Sequence, residues 1–318
     1  MPGLLFLSES DVRGLLDPDQ LAGALAEAFR ELSRGRAVVP PRTAAATPRG
    51  FLAVMPGFLP GTALETKLVS VFPGNHDHGL PSHQALIVLF DELTGTPLAV
   101  MDGTYITAVR TAAAAALAAA ALAREDARVL AILGAGVQGR SHLDALVRIR
   151  DFRDIRIASR DPEHAATLAT EHLRARVVPA FAEAVRGADV VCCCTDAGEP
   201  IVDARWLQQG AHVSSVGSGR ELDAATIGNN RVFVEWRGAA RHPPPAGAHE
   251  LQGIDEESLT EMGEVLDGTR PGRVDGVEIT VYKSTGHAVE DAVAARLVYD
   301  GAERIGAGVR LDLSAGRL

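Results

Sequence analysis

Residues 128–139 read Arg-Val-Leu-Ala-Ile-Leu-Gly-Ala-Gly-Val-Gln-Gly. A short apolar run, Val129 to Leu133, leads into Gly134, Gly136 and Gly139, and a helix-like stretch, Arg140 to Ile149, follows. Each glycine of this G-x-G-x-x-G has its own task. Gly134 allows the tight turn, Gly136 lets a pyrophosphate approach the backbone, and Gly139 lets the helix pack on the strand. The N–H groups at the helix start, around Val137 and Gln138, then face the phosphates. With a strand before it and a helix after it, the stretch predicts a dinucleotide site rather than a plain glycine turn.

The pattern downstream agrees. Strands are expected at 128–133, 154–158, 175–178, 188–194, 211–216 and 231–235, and helices at 137–149, 161–173, 180–186, 203–209 and 221–228. Such alternation predicts a parallel, doubly wound sheet. In that fold the tip of the second strand selects the cofactor, because a carboxylate there accepts from the ribose 2′-OH and repels a 2′-phosphate. Here the tip is Ser159-Arg160, with Asp161 one residue later and Pro162 after it. A hydroxyl and a guanidinium suit a phosphomonoester, so NADP(H) is expected over NAD(H).

The first hundred residues read differently. Asp17-Pro18 opens a helix that Gly35 closes. Phe51 to Met55 reads as a short strand stopped by Pro56-Gly57, and Leu64 to Phe72 as a longer one. Its period of two puts Glu65, Lys67, Val69 and Val71 on one face. Gln84 to Phe90 and Pro97 to Met101 read as a hairpin about Thr94-Gly95. Thr107 is the expected cap of an alanine-rich helix running to about Arg124, which puts Arg110 and Thr111 in its first turn. A cation is disfavoured there, so a bound anion is expected to offset it. Near the end, one helix is expected within Ile254 to Leu266, a last strand at Val277 to Lys283 and a final helix from His287 to Ile305.

Composition narrows the function. A formal charge of −10 over 318 residues, with no dense basic cluster, argues against nucleic acid and anionic membrane as partners. The N-terminus lacks a basic region and a cleavage pattern, and the Ala112 to Ala123 run is too short to span a bilayer. A cytoplasmic protein is expected. Cys192, Cys193 and Cys194 are consecutive, so they point to alternate faces of a strand and are expected to be buried. His76, His78 and His83 have no accompanying ligand set, and no metal is expected. Of the 31 basic residues only Lys67 and Lys283 are lysines. A desolvated lysine exchanges a proton near neutral pH and an arginine does not. Lys67, on the apolar face of a strand, therefore needs a partner or a ligand.

Several stretches together resemble the ornithine cyclodeaminase/μ-crystallin family. They are Pro41-Arg42-Thr43, Met55-Pro56-Gly57, Thr66 to Asn75, Thr94 to Ala99, Thr107 to Ala113, the Gly134–Gly139 fingerprint, Arg220-Glu221-Leu222-Asp223 and Tyr282 to Asp291. The resemblance implies a doubly wound Rossmann domain, residues 121–285, inserted into an α+β substrate-binding and dimerisation domain, residues 1–120 completed by 286–318. It implies a homodimer, with the active site in the cleft between the domains. Arg42, Lys67 and Arg110 would gather around a substrate carboxylate with Met55 beside them, and Lys67 would be catalytic, supplying or relaying a proton. Thr111 would lie beside the cofactor phosphates, and Thr195 and Ser284 would also contact the cofactor. One departure matters. Deaminating members carry an aspartate in a loop of the form G-x-D-x-x-G-K-x-E-L, where this chain reads Val216-Gly217-Ser218-Gly219-Arg220-Glu221-Leu222-Asp223. Without that base, reduction of a ready-made C=N bond in a small cyclic imino acid is expected over amino acid deamination or mere NADPH-linked binding. Glu221 and Asp223 are the nearest acids, at the wrong spacing for a simple replacement.

Overall fold

A computed structural model describes residues 3–217 and 219–312, except for the side chain of His76; Ser218 of the shortened loop lies outside the described residues. Its strands are β1 (Leu4–Leu7), β2 (Thr43–Thr47), β3 (Gly50–Leu59), β4 (Ala63–Val71), β5 (His83–Phe90), β6 (Pro97–Asp102), β7 (Val129–Leu133), β8 (Asp154–Ala158), β9 (Ala175–Val177), β10 (Val190–Cys193), β11 (His212–Val216), β12 (Arg231–Val234), β13 (Thr260–Glu261), β14 (Thr280–Ser284) and β15 (Val309–Leu311). Its α-helices are α1 (Glu9–Leu15), α2 (Pro18–Ser33), α3 (Gly103–Leu122), α4 (Val137–Ile149), α5 (Pro162–Ala169), α6 (Phe181–Val185), α7 (Ala224–Gly228), α8 (Gly238–Arg241), α9 (Met262–Leu266) and α10 (Ala288–Ile305). The chain divides into two compact units, residues 1–110 with 287–318 and residues 111–286.

The first unit holds a sheet of order β15-β1-β6-β5-β4-β3-β2, antiparallel except where β1 joins β6. Helix α10 packs across β3, β4 and β5, and α1 and α2 pack on α10. Ala53, Met55, Val69, Ala85 and Ala288 form a core between strands and helix. Ser8 and Asp11 cap α1 reciprocally, and Asp17 with Pro18 starts α2. Strand β3 runs through Pro56-Gly57, where the sequence predicted a stop. The reason lies in the direction of the peptide groups. Phe58 exchanges both backbone hydrogen bonds with Val38, so Pro56, two residues earlier, turns the same edge outward. Strand β2 pairs with β3 only as far as Val54. The missing N–H of Pro56 therefore removes no bond to β4.

Helix α3 begins at Gly103, earlier than expected. Its cap is Asp102, whose carboxylate accepts from the N–H groups of Thr104 (3.3 Å) and Tyr105 (2.8 Å). Thr107 instead donates to the Gly103 carbonyl. Arg110 is thus the eighth helical residue, well past the first turn, and the helix-terminus argument for an anion beside Arg110 and Thr111 does not hold. By length and composition α3 could cross a membrane, yet most of it is buried within the protein.

The second unit is the doubly wound sheet, order β13-β12-β14-β11-β10-β7-β8-β9, with every pairing parallel. One core contains Leu130, Ile132, Ile155 and Ile157 with Ala116 and Ala119 of α3. The other contains Ala131, Leu133, Val191, Val213 and Val281. The three cysteines are buried free thiols, and burial pushes Cys192 up to about 12. Residues 203–209 form only a 3-10 turn, Ala204–Trp206, too short to propagate an α-helix. Helix α5 stops at Ala169, beyond which Leu173 is fully exposed and offers no apolar face to continue. The stretch 254–266 is a 3-10 turn, β13 and the short α9 rather than one helix.

Candidate active site

In the first unit the alternation of β4 places Glu65 and Lys67 on the buried, helix-covered face, and each is under 3% exposed. Met55 lies opposite Lys67 on β3 and is buried with it. Lys67 Nζ is 2.7 Å from Asp291 Oδ2 on α10. Arg110 Nε donates to Asp291 Oδ1 at 3.0 Å, and its Nη1 to Glu290 Oε2 at 2.9 Å. Arg42 is near enough for its charge to act on both Lys67 and His287. The expected trio is therefore brought together, with two acids that sequence reasoning did not place. Glu290 also accepts from the His287 N–H at 2.7 Å, capping α10. Its spacing three residues after His287 was the available signal.

Burial, and next the charge of Arg110, lower Lys67 to about 8 against the pull of Asp291. Burial would raise Asp291, but Arg110 and Lys67 outweigh it and hold that carboxyl low. Glu65 goes the other way. Burial first and the charge of Asp291 second push it well above the carboxylate range. Burial, with Arg42 next, takes His287 down to about 3, so it is neutral. The cluster thus holds fixed positive charge on arginines and one lysine whose proton is exchangeable near neutrality.

The phosphate loop of the second unit has the stereochemistry its sequence demands. Gly134 has φ +104°, and a Cβ there would lie 2.6 Å from the Cys194 carbonyl oxygen. A Cβ on Gly139 would lie 2.0 Å from the Gly134 carbonyl oxygen. A Cβ on Gly136 would meet nothing within 4 Å. Two glycines are thus required by the fold, and the third faces open space. Gly136 is also the N-cap of α4 and carries no side-chain cap, while Val137 is 65% exposed. The residues fit a dinucleotide pyrophosphate at this turn.

At the tip of β8, Ser159 Oγ accepts from the Asp161 N–H. Arg160 is exposed, and its Nη2 lies 3.1 Å from Asp196 Oδ1. Asp161 caps α5, accepting from Glu163 and His164, so its carboxylate is committed to the backbone. Thr195 follows β10, and its N–H and Oγ both reach Glu221 Oε1 at 2.7 Å. Ser215 donates to Glu221 Oε2 at 2.7 Å. Lys283 Nζ reaches Ser215 Oγ at 2.9 Å and Glu250 Oε1 at 3.0 Å. Ser284 Oγ donates to Glu235, which also takes the Gly286 N–H at 3.1 Å. Thr111 lies in α3 and is buried. Glu235 and Glu250, which support these groups, carried no sequence signal because their partners are remote in the chain. Asp223 caps α7, accepting from Thr226. Neither Glu221 nor Asp223 is therefore placed as a free base. Among the described residues no group of three or more His, Cys, Asp or Glu side chains converges as a metal set.

The family model for the ornithine cyclodeaminase/mu-crystallin family matches residues 4–305. Ketimine reductase mu-crystallin of Mus musculus is 41% identical over 309 residues, covering 93% of this chain and 96% of that protein. The solved Delta(1)-pyrroline-2-carboxylate reductase of Thermococcus litoralis, in complex with NADH and L-proline, is 35% identical with a TM-score of 0.90, covering 97% of this chain and all of that one. An archaeal alanine dehydrogenase dimer with bound NAD is 32% identical with a TM-score of 0.88, covering 98% and 99%.

Proposed function

Because the chain belongs to the ornithine cyclodeaminase/mu-crystallin family, it is an oxidoreductase acting on C=N bonds with a nicotinamide cofactor, and we propose that it reduces small cyclic 2-imino carboxylates with NADPH. Pyrroline-2-carboxylate and piperideine-2-carboxylate are the candidate substrates. The observation that carries the reading is the buried meeting of Lys67 and Arg110, with Arg42 close by, in one unit of the chain. A desolvated cationic cluster suits a carboxylate far better than a neutral group.

Lys67, Arg110 and Arg42 bind and orient the substrate carboxylate, with Met55 against its apolar part. Asp291 and Glu290 keep the cations in place. Lys67 holds or releases a proton at neutral pH, since its charged form is only modestly favoured there. Backbone N–H groups of Val137 and Gln138 hold the cofactor pyrophosphate, and Ser159 with Arg160 takes its 2′-phosphate. Thr195, steadied by Glu221, and Ser284, steadied by Glu235, order the remainder of the cofactor, and Thr111 lies toward its phosphates. When bound in reduced form, that cofactor supplies the hydride.

Reduction is favoured over deamination by the loop at 217–223. Glu221 is committed to Thr195 and Ser215, and Asp223 to a helix cap, so neither supplies the base that amine deprotonation needs. Two copies are proposed to associate through the first unit's sheet, where β2 is an exposed edge; the dimeric archaeal relative supports this. The test is a panel of cyclic imino acids, amino acids and keto acids with NADPH and with NADH, read as loss or gain of nicotinamide absorbance. Turnover of cyclic imines with NADPH is expected. Ammonia release from an amino acid without imine reduction would overturn the reading.

A further inference from the structure

Glu65 is 2% exposed on the helix-covered face of β4, two residues before Lys67. Neither of its carboxyl oxygens has a hydrogen-bond partner among the described residues. A buried polar group is nearly always paired, so an unpaired acid within a cluster built for a ligand points to that ligand. Gly57 stands opposite on β3, and a Cβ there would lie 3.0 Å from Glu65 Oε1 and 3.0 Å from Ala288 Cβ, so the bare glycine is what lets the carboxyl sit there.

The charged and titratable groups of the cluster come from four places. Lys67 is on its own strand, Asp291, Glu290 and the cap residue His287 belong to α10, Arg110 to α3, and Arg42 precedes β2. The neighbouring strands present uncharged residues there, Met55 and Gly57 from β3 and Ile87 and Leu89 from β5. Three cations stand against the two acids Asp291 and Glu290. With Glu65 neutral, the cluster carries one net positive charge, which a substrate carboxylate balances. With Glu65 ionised, no positive charge is left over. Burial and the Asp291 charge favour the neutral form.

We propose that Glu65 is the acid of the site: it holds its proton in the free protein and passes it to the nitrogen of the substrate's C=N group as the carbon is reduced. This rests on the imine-reductase reading above. The hydride forms the new C–H bond, and the C=N π pair moves onto nitrogen. Nitrogen takes the proton from the Glu65 O–H, whose electrons stay on the carboxylate. The imine carbon is reduced, the nicotinamide is oxidised, and solvent restores the proton after product leaves. The substrate is thereby recognised at two points, its carboxylate by the cations and its nitrogen by Glu65.

Two measurements on wild type and Glu65→Gln test this. In cofactor-free protein at neutral pH, the infrared band of a protonated carboxyl is expected in wild type and absent in Glu65→Gln. Its absence from wild type overturns the proposal. In steady-state reduction of pyrroline-2-carboxylate, Glu65→Gln is expected to lose roughly 100-fold in kcat at alkaline pH, with KM little changed. That loss should close as pH falls and the imine arrives already protonated. A deficit constant across pH, or none, overturns it. If wild type reduces no cyclic imine at all, the functional reading has failed, while the infrared band reports on Glu65 independently. Glu65→Met, apolar and of similar volume, replaces Glu65→Gln if the latter does not fold.

Discussion

Lys67 Nζ and Asp291 Oδ2 meet at 2.7 Å with both side chains buried, and the same carboxylate takes the Arg110 guanidinium on its other oxygen. One acid from α10 therefore fixes two cations from different elements. Asp291→Asn leaves both buried charges short of a partner, and breaking such a pair costs about 3–5 kcal/mol. Urea denaturation at neutral pH should show that loss. The sign with pH follows from Asp291, whose folded carboxyl is held low. Its contribution is present above the ordinary carboxylate range and is lost as pH falls through the folded value. The gap between wild type and Asp291→Asn should therefore narrow in acid.

Lys67 has the opposite charge type and gives a separate signal in binding. Its pKa of about 8 means that the ammonium needed for the carboxylate is lost as pH rises through that value. KM for a cyclic imino acid is expected to rise above about pH 8. In Asp291→Asn a charge that supports the ammonium is gone, and the rise should begin roughly 1–3 pH units lower. Lys67→Arg, which does not titrate, should abolish the rise. Lys67→Met should weaken substrate binding by about 10-fold or more, and cofactor binding should be unchanged. Initial-rate pH profiles and cofactor titration by fluorescence separate these outcomes.

The glycine loop separates folding from binding. Gly139→Ala forces a methyl to 2.0 Å from the Gly134 carbonyl, whereas at Gly136 there is no atom to meet. Gly139→Ala should lower thermal stability even without cofactor, by about 1–3 kcal/mol as overpacking does. Gly136→Val should fold with a near-normal melting temperature and lose nicotinamide binding, because its side chain takes the space of the pyrophosphate. Equal loss of stability in both variants would contradict this division.

What the sequence disclosed, and what it hid, divides by distance along the chain. The order β7, glycine loop, α4 and the alternation that follows were legible because each depends on neighbours within a few residues. Lys67 stood out because period-two alternation put a lysine on an apolar face. Arg110 was singled out by a faulty argument: Asp102, the true cap of α3, lies only five residues before Thr107, and both are acceptable cap residues. Its real setting, between Glu290 and Asp291, is set by contacts some 180 residues away, which no periodicity reveals. The path of β3 through Pro56 was hidden similarly, since it depends on where β2 begins, with Thr43 opposite Val54. Glu65 was legible as a member of the Lys67 face, but its lack of a partner emerges only when α10 covers it.

The last prediction concerns the cofactor's 2′ position. Asp161, the nearest acid to the β8 tip, spends its carboxylate on the N–H groups of Glu163 and His164. It is therefore poorly placed to accept from a ribose hydroxyl as well. Arg160 is exposed, and its contact with Asp196 is an exposed pair of the kind that contributes little. The guanidinium is then readily transferred to a phosphate, where a charge-assisted bond is worth about 1.5–3 kcal/mol. Arg160→Ala should raise KM for NADPH by about 10- to 100-fold and change that for NADH little. Ser159→Asp should go further, repelling the 2′-phosphate and offering the ribose an acceptor, so that NADH becomes the better donor. Asp196→Ala frees Arg160 and should tighten NADPH modestly. Equal effects of Arg160→Ala on NADPH and NADH would show that this tip does not meet a 2′-phosphate.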